Sequence, residues 1–139
     1  MINKEVRIVV ASMRGFTDMV RTKLAVDALL QTIYLLNEGI DDTDPDYVTP
    51  EKIVFISNGE QGTIAHQLPE LLQAYHLEHV DVPVDWATGK AAFYENCVAL
   101  GSQATYAIIF WDHEDQGMNA LYKSCLQAGA PVRSYNVHI

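Results

Sequence analysis

Apolar positions recur along this chain in two alternating rhythms. Val6 to Val10 (VRIVV) is a short β-branched run, the mark of a strand buried on both faces. Beyond it Val26, Leu29, Leu30, Ile33 and Leu36 fall at i, i+3, i+4, i+7 and i+10, one apolar stripe of a helix. Thr17 or Asp18 can cap that helix, and Gly39 suits its stop. Ile53 to Ile56 (IVFI) predicts the second strand, and His79 to Val84, alternating at Val80, Val82 and Val84, the third. Tyr106 to Trp111 (YAIIFW) and Val132 to Val137 predict the fourth and fifth. Helices are expected from about Thr63 to about Tyr75, from about Gly89 to Leu100 and from Gly117 to Ala128, with Gly129 as the last stop. Pro69 should kink or break the first turns of its helix.

Strands that alternate with helices throughout predict a parallel sheet with helices on both faces, in one domain over residues 1–139. Ligands of such sheets bind beyond the carboxyl ends of the strands, where the strand order reverses. Four connections therefore carry the functional question: 11–18, 57–63, 85–90 and 111–117.

Composition narrows the classes. Hydrophobic residues make up 49% and charged residues 19%, which argues against disorder. The formal charge of −9 opposes a nucleic-acid surface. No apolar run has the length of a membrane span, and MINKEVRIVVAS reads as a strand rather than a signal peptide, so the expected setting is cytoplasmic, without membrane or nucleic acid. Cys97 and Cys125 fall inside helical patterns and read as reduced, buried thiols. The acidic loop 40–51 invites a calcium reading, but the calcium-loop glycine and glutamate positions, counted from Asp42, hold Tyr47 and Ile53. No metal site and no cofactor are expected.

The first connection, ASMRGFTD, brings Ser12, Arg14 and Asp18 to the carboxyl edge; Arg14 suits a phosphate or carboxylate, or pairs with a local acid such as Asp18. In the second, SNGEQG, Gly59 and Gly62 allow close approach to a ligand after Ser57, or form a plain tight turn. Glu60 argues against a dense phosphate cluster there. In the third, Asp85-Trp86 precedes Lys90; Trp86 can stack on a base or cover the sheet edge, and Lys90 can meet an anion or stay solvated. The fourth, WDHEDQGMN, crowds Asp112, His113, Glu114 and Asp115 before Gly117, as proton-transfer groups or as a solvated loop with a helix cap.

Taken in order, ASMRGFTD, SNGEQGTI, DWATGKAAFYEN and DQGMN resemble the four motifs of the SLOG superfamily of Rossmann-like domains, in its YspA-like branch. The resemblance implies a Rossmann-like three-layer α/β sandwich with a five-stranded, mainly parallel sheet. It further implies a pocket for a nucleotide or nucleotide-derived ligand. Ser12, Arg14, Asp18, Ser57, Gly59, Gly62, Asp85, Trp86, Lys90, Asp112 and Gly117 are the expected ligand-binding residues. Several family positions differ: Ala11, Asn58, Phe93 stand for glycines, Ile64 for an aspartate, Glu95 for an arginine and Met118 for a threonine. Several of these losses fall where an anion would be touched, which points to a less charged ligand or to weak binding. The related lonely-guy enzymes cleave nucleotide N-glycosidic bonds, but their motif glutamate has no counterpart here, since Ala120 and Leu121 follow Asn119.

The expected function is thus a binding or sensing module, with self-association into a homodimer. The alternatives are an N-glycosidic hydrolase, with Glu60, Asp112 or Glu114 as its carboxylate, and an assembly protein that presents Phe93 and Tyr94 to a partner.

Overall fold

The computed structural model describes residues 5–138; the first four residues of the amino-terminal reading and Ile139 lie outside the described residues. Five strands form one sheet: β1 (Val6–Ser12), β2 (Ile53–Ser57), β3 (Glu78–Asp81), β4 (Tyr106–Trp111) and β5 (Val132–Asn136). Their order is β3-β2-β1-β4-β5, and every neighbouring pair is parallel. Four α-helices connect them: α1 (Met19–Leu35), α2 (Ile64–Leu72), α3 (Ala92–Ser102) and α4 (Gln116–Gln127).

Successive side chains of a strand point to opposite faces, and here the two faces receive different helices. Ile8, Val10, Phe55, Ile108 and Phe110 pack with Val26, Leu29 and Ile33 of α1 and with Ile64 and Leu68 of α2. Val9, Ala11, Val54, Ile56, Ala107 and Ile109 pack with Cys97 and Leu100 of α3 and with Met118, Leu121 and Cys125 of α4. The fold is therefore a three-layer, Rossmann-like α/β sandwich. The central strands are apolar on both sides, which explains why they read as continuous runs rather than alternations.

Strand order reverses between β1 and β4: α1 leaves β1 onto one face, and α4 leaves β4 onto the other. Met13 N–H donates to the Phe110 carbonyl (2.9 Å), so the two strand ends part just beyond this bond.

Several elements differ from the sequence expectation; α1, for one, ends at Leu35, short of Gly39. β3 stops at Asp81 rather than Val84, because Val82 N–H makes the last bond, to Ser57 O, and Pro83 has no N–H to continue the ladder. α3 begins at Ala92 rather than Gly89, whose φ of +110° belongs to the left-handed region and not to a helix. α2 runs unbroken through Pro69, whose missing N–H removes one ladder bond.

Candidate functional site

All four connections contribute side chains to one hollow of about 200 Å³ at the carboxyl edge. Ser12, Met13 and Arg14 come from the end of β1, Glu60 and Thr63 from the turn after β2, Trp86 and Phe93 from the segment after β3, and Asp115 from the turn after β4. A more open depression of about 560 Å³ adjoins it, sharing Arg14, Glu60 and Trp86 and adding Asn58, Gly59 and Asp81. Depressions of about 430 and 340 Å³ lie around the loop that follows α1. The second of these touches Val6 and Tyr106, the starting ends of β1 and β4, and Asn37 braces the loop by exchanging two 2.7 Å bonds with Val48. We place the site at the carboxyl edge, where strand order reverses and four distant segments meet.

The first two connections are stitched together. Ser12 Oγ is buried, accepts from Ile64 N–H (3.0 Å) and lies within bonding distance of the Met13 and Phe16 carbonyls. Gly15 N–H donates to Gly62 O (2.7 Å), and Gly62, at φ +76°, takes a turn geometry that disfavours any side chain. Arg14 is held loosely: its side chain is 73% exposed, with Nη2 3.9 Å from Glu60 Oε1, whereas Glu60 is only 17% exposed.

Asn58 has a structural role at the turn after β2. Its Nδ2 donates to Asn96 Oδ1 (3.2 Å), Asn96 Nδ2 donates to Val82 O (2.9 Å), and Asn58 Oδ1 accepts from Glu60 N–H (3.1 Å). This buried amide pair ties the ends of β2 and β3 to α3 and fixes the backbone of Glu60.

Trp86 stands in a single 3-10 turn, Trp86–Thr88, and is 54% exposed. Its ring lies parallel to Phe93, with centroids 6.2 Å apart and planes within 5°. Phe93 leans in turn on Gly117 of α4. Beneath, the Cys97 thiol is pushed up to about 12, first by burial and then by the fields of Asp115 and Glu60.

Of the residues expected at the site, Ser12, Arg14 and Trp86 line the hollow and Gly59 lines the depression. The others line neither. Asp18 caps α1 by accepting from Arg21 N–H and lies in a separate depression with Arg21 and His138. Ser57 is buried with its Oγ 2.8 Å from His79 Nε2. Asp85 caps the Trp86 turn, and Lys90 is exposed and lines neither hollow. Asp112 accepts from the N–H groups of Glu114 and Asp115, bonds that hold its carboxyl below the usual range. Gly117 is covered by Phe93. His113 turns toward β5, its ring nitrogens 3.2 Å from Asn136 Oδ1 and 3.1 Å from Ser134 Oγ, away from the residues that line the hollow.

Sequence reasoning missed Met13, Thr63, Phe93 and Asp115 as lining groups. In the assembly alternative Phe93 and Tyr94 both face a partner; Phe93 instead walls the hollow, and Tyr94 beside it is the exposed residue. The signal for Asp115 was present, since it directly precedes the helix that it caps.

Among the described residues no helix is long and apolar enough to cross a membrane. No family model matches the chain, and neither does any curated protein or solved structure.

Proposed function

We propose that the protein binds a nucleotide or nucleotide-derived small molecule in this cleft, as a sensor or binding module. One observation carries the reading: four segments distant in sequence each give a side chain to a single hollow at the reversal of strand order. Trp86 offers a half-exposed ring to a base, and the polar groups of Glu60, Thr63 and Asp115 suit ribose or base edges. The resemblance to the YspA-like branch of the SLOG superfamily, a cytoplasmic setting and a homodimer belong to the same proposal. The exposed Val20, Leu24 and Leu35 of α1 supply an apolar surface for the dimer, which sedimentation tests.

The test of binding is thermal shift of the whole chain against nucleosides, nucleotides, NAD and ADP-ribose. A ligand of the native state raises the melting temperature, and Trp86→Ala removes the rise. Silence across the whole panel would reject the proposal.

A second reading, hydrolysis of an N-glycosidic bond, is favoured by Glu60, the only one of its three candidate carboxylates that lines the hollow. Release of free base from a nucleoside or nucleotide, abolished by Glu60→Gln, would establish it.

A further inference from the structure

We infer that the cleft takes a cationic planar ring, the base of an unphosphorylated nucleoside, and selects against the phosphorylated end of such a molecule. The inference rests on the proposed binding function and narrows its ligand.

A phosphate needs free donors. Rossmann-like edges bind phosphate through unpaired N–H groups at helix N-termini. Here several of those groups have partners from the chain itself. In α2, Ile64 N–H is bound by Ser12 Oγ and Ala65 N–H by Thr63 Oγ1. In α4, Met118 N–H is bound by Asp115; in α1, Arg21 N–H by Asp18; in the Trp86 turn, Ala87 N–H by Asp85. Three of these caps are carboxylates, so the positive helix ends already face negative charge. The N-cap of α3, Ala91, has no capping side chain, but Glu95 occupies the first turn.

Charge points the same way. Among the described residues that line the hollow and its adjoining depression, Arg14 is the one cation, against Glu60, Asp81 and Asp115. Arg14 itself leans toward Glu60 and is mostly in solvent. A phosphate, with a charge of about −1.5 to −2 near neutral pH, would meet this field unfavourably. A cation would meet it favourably.

The shape of the hollow suits a ring. A positive ring against the open face of Trp86 gains a cation–π interaction, with Glu60 and Asp115 on the same hollow. The hollow of about 200 Å³ is smaller than a pocket for a drug-sized ligand and suits a single ring system. The open depression beside it can receive the sugar.

The test is calorimetric titration of the full chain at about pH 7, where 1-methyladenosine carries a cationic base, with adenosine, AMP and 1-methyladenosine 5′-phosphate as the other probes. 1-Methyladenosine should bind about tenfold more tightly than adenosine. Each phosphorylated probe should bind more weakly than its nucleoside. Glu60→Gln, or Asp115→Asn, which still caps α4, should lower the 1-methyladenosine affinity toward that of adenosine. If AMP binds more tightly than adenosine, or methylation brings no gain, the inference falls while the binding function stands. If none of the four probes binds, this inference falls; a response to NAD or ADP-ribose in the thermal-shift panel would then still uphold the broader function.

Discussion

A β-carbon at Gly117 would stand 2.3 Å from Cε2 of Phe93, so the aromatic wall of the cleft rests directly on the backbone of α4. The same two helices meet again at their other ends, where a β-carbon at Gly101 would come within 2.5 Å of Ser124 Cβ. Phe93 and Gly101 of α3 thus face Gly117 and Ser124 of α4 in the same order, and the helices run side by side in one direction. The packing of α3 on α4 therefore sets the position of Phe93, and with it the ring that Trp86 parallels.

Gly117→Ala forces that wall to move. Alanine would favour an exposed helix position by up to about 1 kcal/mol, but the added methyl displaces the Phe93 ring from its packed place. We expect a net loss of about 1–2 kcal/mol in urea unfolding, with a changed Trp86 fluorescence. In a Phe93→Ala background the same substitution should be neutral or stabilising, because the clash is gone. A full loss in both backgrounds would show that Phe93 is not the obstacle.

Gly101→Ala has no such escape. Its β-carbon would also lie 2.9 Å from the backbone nitrogen of Cys125, which cannot swing aside as a ring can. The helices must separate, and Ser124 Oγ risks its 2.6 Å bond to Val98 O. The expected loss is about 2–3 kcal/mol, and stability equal to the wild type would contradict this packing.

The two thiols should be inert in the folded protein. Both are buried, and burial raises Cys97 to about 12 and Cys125 to about 11. Reactivity follows the thiolate, so an aromatic disulfide reagent at mildly alkaline pH should label neither until the chain opens. Under denaturant both should react. Rapid labelling of the native protein would place at least one thiol outside the core.

The sheet was legible in sequence because its strands are buried on both faces: YAIIFW coincides with β4, and IVFI lies within β2. The edge strand was less legible, since Val80 is exposed and the end of pairing depends on Pro83 rather than on any apolar pattern. The loops that meet at the cleft could be named from the fold rule alone. Which side chains turn inward could not. Lys90 and Asp112 have the right chemistry at the right edge, yet one stays in solvent and the other folds back on its own loop. Phe93 carried the opposite signal, since a bulky residue near a helix start gives no sign of the glycine on a neighbouring helix that receives it.

His79 gives the fold a dependence on mild acid. It sits in β3 opposite Phe55, with Nε2 2.8 Å from Ser57 Oγ and within the field of Asp81. Burial lowers its pKa from the ordinary 6.5, and Asp81 opposes that shift without cancelling it. The unfolded chain therefore binds the proton first as pH falls. Stability from this residue is complete well above pH 6.5 and is lost as pH drops below 6.5 and through the depressed folded value. His79→Gln can keep a hydrogen bond to Ser57 and has no proton to take up. Urea midpoints measured from about pH 8 to about pH 5 should then run parallel for the two proteins at the alkaline end. They should diverge below pH 6.5, with the wild type falling faster. Parallel curves over the whole range would mean that His79 titrates alike in the folded and unfolded chains, and its bond to Ser57 would then be no seal on the sheet edge.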